Sequence, residues 1–200
     1  MLSDNREELW ELALRHAGLP GQDALLLEGR PSSGQGVAWC RGEELSSDEW
    51  LSEADAVRAN KRRQAYRVSL HTDLTAPAFA AVARHELEHH LQYDRFGFDS
   101  VMIQHKRALA TFAPADRVPG NGVLYNQIPM EADANAAGAR FLLTLVDPAE
   151  LGRLAGDDPS LSMFLDSAAP LMETLPERME RFINEDGPKL TEEFLRGRRP

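Results

Sequence analysis

The segment His85-Glu86-Leu87-Glu88-His89 places two histidines four residues apart within an apolar, helix-forming stretch. In a helix of 3.6 residues per turn, such positions lie about 40° apart on one face, so both imidazoles can reach a single ion. Zinc accepts neutral imidazole nitrogen and prefers a tetrahedral set of ligands. The pattern therefore predicts a metal-binding helix. The alternative is a solvated helix face on which these side chains contact only water.

The residues around the motif indicate a buried helix. Residues 76–83 are almost all small or apolar, which is typical of a helix packed closely against a core. Thr75 can cap the N-terminus, Pro77 fits the first turn, and Gly97 lies beyond the C-terminal end. We therefore expect a helix over roughly residues 76–95 that carries both histidines.

A third metal ligand, Glu131, is predicted on a later helix over residues 129–146. It lies in the first turn of that helix, with Asn135 four residues later on the same face. Small residues at 134 and 137–139 would let this helix approach another closely. Glu131 would complete three protein ligands and leave a fourth position for water, as in catalytic zinc sites. Asn135 could hydrogen-bond to a ligand histidine and fix its tautomer.

The residues alone leave other assignments open. Glu131 could merely favour a helix N-terminus through the helix dipole. Weaker third-ligand candidates are His105, on a separate predicted helix, and Asp94 and Asp99, at or near the end of the motif helix. His90 points about 100° away from His89 and should not share the ion, and His71 is expected to be exposed at a strand end.

A general base is expected beside the ligand pair, where a carboxylate could take a proton from metal-activated water. By angle alone, Glu86 and Glu88 flank the two histidines equally closely, so helical geometry does not choose between them. A hydrogen-bond donor should also stabilise the oxyanion of an acyl-transfer reaction. Tyr125 and His105 are candidates for this role, although either could instead be structural.

At these two places the chain resembles the gluzincin group of zinc metallopeptidases, which combine HExxH on one helix with a glutamate ligand on a later helix. The segment from Glu131 to Asn135 also resembles the Glu-x-x-Ala-Asn pattern of ImmA/IrrE-type metallopeptidases. The resemblance implies zinc ligands at His85, His89 and Glu131, and a general base at Glu86. Asn135 stands where many gluzincins carry an aspartate.

Composition limits the other function classes. The chain has 200 residues and a net charge of -10, which argues against a nucleic-acid-binding body. No apolar run is long enough for a transmembrane helix, and the acidic, polar N-terminus predicts no signal peptide. Cys40 is the only cysteine, which excludes an intrachain disulfide and favours a cytoplasmic location.

The remaining pattern predicts a mostly helical α+β protein in one domain over residues 1–200, with a zincin-like core at about 65–146. N-terminal elements over 1–64 and a C-terminal helical appendage over 147–200 would flank this core. The predicted helices cover 4–17, with a cap formed by Asp4 and Glu7, then 47–63, 100–112 and two or three short helices in the last fifty residues. Two short strands are expected within 24–41, an exposed edge strand at 64–71, and a long loop at 113–128.

These features together predict a zinc-dependent metallopeptidase that binds one zinc ion per chain and cleaves a peptide or protein substrate. In this hypothesis Glu86 accepts a proton from the activated water and passes it to the leaving amine. The edge strand near 65–71 would hold an extended peptide by strand addition. Two alternatives are a zincin-fold binding or regulatory protein with little turnover, and a metal-dependent enzyme that acts on a small molecule.

Overall fold

A computed structural model describes residues 4–19, 24–29, 36–39, 66–115, 118, 122–158, 161, 164 and 174–197. Within these residues the protein is mostly helical, with one small three-stranded sheet. The predicted helix at 47–63 lies outside the described residues. The chain divides into two compact units, Met1–Leu91 with Ala134–Ser167, and Gln92–Asp133 with Ala168–Pro200.

Helix α1 (Arg6–Ala17) confirms the predicted N-terminal helix but not its cap. The N-cap is Asn5, whose side chain accepts hydrogen bonds from the backbone N–H groups of Glu7 and Glu8. The predicted capping residue, Asp4 paired with Glu7, was therefore wrong by one position. The side-chain oxygen of Asn5 is the one placed to accept from two otherwise unpaired N–H groups of the first turn. Gly18 ends the helix with a φ of 70°, as expected for a left-handed C-terminal cap.

The sheet contains β1 (Ala24–Gly29), β2 (Gly36–Trp39) and β3 (Tyr66–His71). Their order is β1-β3-β2, with β1 parallel and β2 antiparallel to β3. The edge strand predicted at 64–71 is therefore the central strand, and its backbone already pairs on both sides. Val68, Ser69 and Leu70 are all buried. Strand addition of a peptide to β3 is excluded for this reason.

The core of the first unit is built around the greater part of two helices, α2 (Ala76–Phe96) and α5 (Pro129–Leu145). Residues 78–83 of α2 are buried together with Leu87, Phe141 and Leu142. A Cβ atom added at Gly138 would lie 2.7 Å from the backbone oxygen of Ala81 and 2.8 Å from the Phe164 ring. The predicted close approach of these two helices is thus present. It is possible because Gly138 has no Cβ atom.

The second unit contains α3 (Phe98–Ala110) and α4 (Gly122–Tyr125). A 3-10 turn at Ala113–Ala115 and helix α4 occupy part of the predicted long loop at 113–128, so that prediction was only partly right. Helices α7 (Leu175–Arg181) and α8 (Gly187–Arg196) follow near the C-terminus, joined by a π-helical turn at Phe182–Asp186. The core of this unit is formed by apolar side chains, among them Val101, Leu124, Ile128, Met130, Leu175 and Phe182.

The π-helical turn has a local cause in the sequence. Pro188 has no N–H to donate and its ring clashes with the carbonyl four residues earlier, so a regular α-helix cannot continue through it. The N–H of Gly187 instead bonds to the carbonyl of Phe182, five residues back. The turn inserts an extra residue before α8, and Pro188 then lies in the first turn of that helix, where its missing N–H is tolerated.

Helix α6 (Pro148–Asp157) is the remaining helix described in the first unit. Asp147 caps it by accepting a hydrogen bond from the N–H of Glu150 at 2.9 Å.

Throughout the described ranges, no helix combines the length and the apolar character that crossing a membrane would need.

Candidate metal centre

The two motif histidines lie side by side on α2. The Nε2 atoms of His85 and His89 are 3.1 Å apart, and the ring planes are nearly perpendicular at 88°. Two nitrogens at this separation either share a hydrogen or bind one cation. In a tetrahedral zinc site, Zn–N bonds of about 2.05 Å would place two nitrogen ligands about 3.3 Å apart. The spacing of these two atoms therefore fits a shared metal ion.

Asn135 on α5 determines which nitrogen of His85 is available. The Nδ1 atom of His85 lies 2.9 Å from Oδ1 of Asn135. An amide oxygen can only accept, so Nδ1 carries the hydrogen and Nε2 keeps its lone pair. A ligand histidine commonly has its second nitrogen bonded in this way, which fixes the ring and increases the basicity of the ligand atom.

Glu131 completes a group of three side chains that could bind a metal. It lies in the first turn of α5 and is only 2% exposed. One candidate ligand atom from each of His85, His89 and Glu131 lies within 4.8 Å of the other two. No other group of three or more His, Cys, Asp or Glu side chains in the described part of the chain has this property. Two imidazoles and one carboxylate form a donor set that suits zinc.

The two candidates for oxyanion stabilisation both lie at the carboxylate of Glu131. The hydroxyl of Tyr125 donates a hydrogen bond of 2.8 Å to Oε1 of Glu131. The Nε2 atom of His105 lies 3.4 Å from the same oxygen. The rings of His105 and Tyr125 contact each other edge to face, with centroids 5.8 Å apart. Both side chains are therefore close to a proposed ligand.

The structure separates the two glutamates that helical geometry left equivalent. Glu88 is buried and forms an ion pair of 2.7 Å with Arg84, one turn earlier on α2. Arg84 also donates from Nε to Nδ1 of His16 at 3.1 Å. Glu86 is buried as well, with 6% of its surface exposed. The carboxylate of Glu88 therefore balances the charge of a buried guanidinium.

The chain of His16, Arg84 and Glu88 was not predicted from the sequence. The Arg84–Glu88 spacing of four residues is an ordinary helix pair and could have been found from the pattern. His16 lies on a different helix, 68 residues before Arg84, and no local signal links them. Burial, together with the cationic Arg84 and Arg140, lowers the pKa of His16 below its usual value. Burial lowers the pKa of Arg84, and Glu88 opposes that shift.

The other histidines and acidic residues considered from the sequence are not part of this group. The ring of His71 accepts a hydrogen bond from the backbone of Asp73 at 3.2 Å. Asp94 and Asp99 are exposed, and His90 is buried on α2.

Comparison with known proteins found no match among family models, curated proteins or solved structures. The structure itself shows three side chains that could bind a metal. They lie in a mostly helical protein with a small mixed sheet.

Proposed function

We propose that this protein is a zinc-dependent metallopeptidase with a zincin-like core. The observation that carries the proposal is the convergence of His85, His89 and Glu131, whose candidate ligand atoms lie within 4.8 Å of one another. Three protein ligands of this kind are typical of catalytic zinc, because structural zinc sites usually have four.

His85, His89 and Glu131 would hold the metal. A bound zinc ion would supply Lewis acidity, polarising a substrate carbonyl and lowering the pKa of a water toward about 7. Asn135 would hold the imidazole of His85 in the tautomer that leaves Nε2 free to bind, through the contact of 2.9 Å at Nδ1.

Glu86 would act as the general base and acid. Its carboxylate would accept a proton from the attacking water and deliver that proton to the nitrogen of the leaving amine. Such a group must change protonation state in every cycle. Glu88 is unsuited to this role, since neutralising it would leave the buried guanidinium of Arg84 without its partner at 2.7 Å. Breaking a buried pair in this way typically costs about 3–5 kcal/mol.

The test uses zinc-loaded protein and a mixture of unstructured peptides, with cleavage followed by mass spectrometry. We expect Glu86→Gln to keep one zinc per chain and to lose hydrolysis, because the amide cannot take up the proton. Asp94→Asn is the matched control, since it alters an exposed carboxylate on the same helix. It should retain wild-type activity.

Two results would count against the proposal. Hydrolysis by Glu86→Gln at the wild-type rate would remove Glu86 from the mechanism. Zinc-loaded wild-type protein that leaves all of the peptides intact would refute the peptidase assignment, and the same metal centre would then belong to a binding protein or to an enzyme acting on small molecules.

A further inference from the structure

The protein itself holds the Oε1 atom of the Glu131 carboxylate. Tyr125 donates to Oε1 at 2.8 Å, and Nε2 of His105 is 3.4 Å from that atom. We propose that Tyr125 is a positioning residue: by fixing Oε1, it holds the carboxylate of Glu131 in one orientation for metal binding. This inference rests on the metal centre of the proposed function, and it concerns how that centre is built.

The rotational freedom of a glutamate side chain is the reason that such a residue would affect metal binding. A carboxylate on a long side chain can turn about its last bond, and either oxygen, or both, can bind a metal. Glu131 is almost completely buried, so water cannot satisfy the oxygen that the metal leaves unbound. A hydroxyl placed at one oxygen supplies that hydrogen bond and selects one orientation of the group. Binding through a single oxygen also keeps a coordination position open.

The local chain holds Tyr125 in register with Glu131. Tyr125 is the last residue of α4, six residues before Glu131. The turn between them is closed by backbone hydrogen bonds from Gln127 to Leu124 and from Ile128 to Tyr125, at 3.1 and 3.0 Å. Leu124 and Ile128 are both buried, which fixes this turn in the core of its unit. The hydroxyl and the carboxylate therefore belong to one short, well-anchored segment.

This role differs from oxyanion stabilisation. A tyrosine hydroxyl has one hydrogen, so it cannot donate to a substrate while it donates to Oε1 of Glu131. An oxyanion donor changes the rate of turnover and leaves metal affinity unaltered. A positioning residue changes metal affinity in the absence of any substrate.

The experiment measures zinc affinity by competition with a chromophoric chelator, in the absence of peptide. Loss of a group that orients a metal ligand commonly weakens metal binding by about 10–100-fold, and we expect a loss in this range for Tyr125→Phe. The matched control is Tyr93→Phe. It removes another tyrosine hydroxyl of the same unit, one whose oxygen is 4.0 Å from the sulfur of Met102. Its zinc affinity should equal that of the wild type, since the hydroxyl is placed at Met102.

A double-mutant cycle shows whether Tyr125 acts through Glu131. In a Glu131→Ala background, the further change Tyr125→Phe should leave the residual zinc affinity unaltered, because there is no carboxylate left to orient. Cobalt bound in place of zinc gives a second readout. Its visible spectrum reports ligand geometry, and at saturating cobalt it should differ between the wild type and Tyr125→Phe.

The outcomes separate this inference from the function on which it rests. Equal zinc affinity in the wild type and Tyr125→Phe would overturn the positioning role while leaving the metal centre intact. Weakening that persists unchanged in the Glu131→Ala background would also overturn it. Failure of the wild type to bind zinc would overturn both. A zinc-binding protein that shows the predicted loss but cleaves no peptide would support the positioning role and refute only the peptidase assignment.

Discussion

The close approach of α2 and α5 at Gly138 can be tested by adding a single methyl group. In Gly138→Ala, the new Cβ would lie 2.7 Å from the backbone oxygen of Ala81 and 2.8 Å from Phe164. The oxygen belongs to a buried helix and cannot rotate away, so α2 and α5 must separate by a fraction of an ångström. Overpacking of this kind typically costs about 1–3 kcal/mol.

The matched control is Gly152→Ala in α6. An added Cβ there has no heavy atom within 4 Å, so the substitution introduces no clash. Both substitutions gain the helix preference of alanine over glycine, roughly 1 kcal/mol. Gly152→Ala should therefore be more stable than the wild type. The difference between the two variants isolates the clash, and about 1–3 kcal/mol corresponds to roughly 2–12 °C in melting temperature for a chain of this size.

The assay is thermal unfolding followed by circular dichroism, combined with zinc affinity. Asn135 lies one turn before Gly138 on α5, and its contact of 2.9 Å with His85 should lengthen if the helices separate. We therefore expect zinc binding to weaken in Gly138→Ala and to stay unchanged in Gly152→Ala. If both alanine variants gained the same stability and bound zinc equally well, the helices would not be limited by contact at Gly138, and the reasoning from their spacing would be refuted.

Two further predictions concern single side chains. Asn135→Ala should weaken zinc binding by about 10–100-fold, because His85 loses the acceptor that fixes its tautomer, and an unchanged affinity in the chelator assay would contradict that role. For His16, burial and the nearby cations Arg84 and Arg140 hold the pKa of the folded protein below that of the unfolded chain. As the pH falls through about 6.5, the unfolded chain therefore binds protons more readily, and the free energy of unfolding decreases. His16→Gln should make this decrease shallower in urea titrations between about pH 7 and pH 5, and an identical pH profile would exclude His16 as a contributor.

The motif helix could be predicted because its determinants are local. The apolar run, the expected start after Thr75 and the glycine at 97 define a helix at 76–95, and α2 spans Ala76–Phe96. The hydroxyl oxygen of Thr75 accepts a long hydrogen bond of 3.4 Å from the N–H of Ala78. The small side chains of both helices likewise predicted their close contact, which Gly138 and Ala81 now define.

The position of β3 could not be predicted in the same way. Alternation of side chains along residues 64–71 indicates a strand, but it does not say which strands pair with it. In the sheet, Val68 is opposite both Leu26 of β1 and Ala38 of β2. Those partners lie 42 and 30 residues earlier in the chain. Ser69 lies in a strand that was predicted to be exposed, but its side chain is only 1% exposed.

The candidate metal centre also combines a local and a long-range part, and the two parts differ in how strongly they support metal binding. Any helix containing HExxH presents two histidines on one face, so the pair His85 and His89 follows from helical geometry alone. Glu131 lies 42 residues after His89, and nothing local requires a carboxylate to reach these imidazoles. The local sequence also does not require an amide at position 135. The oxygen of Asn135 accepts the hydrogen on Nδ1 of His85 and so defines the tautomer of that ring. A chance motif on a solvated helix face would have neither feature. The strongest support for a functional centre therefore comes from α5, whose first two turns contribute both groups.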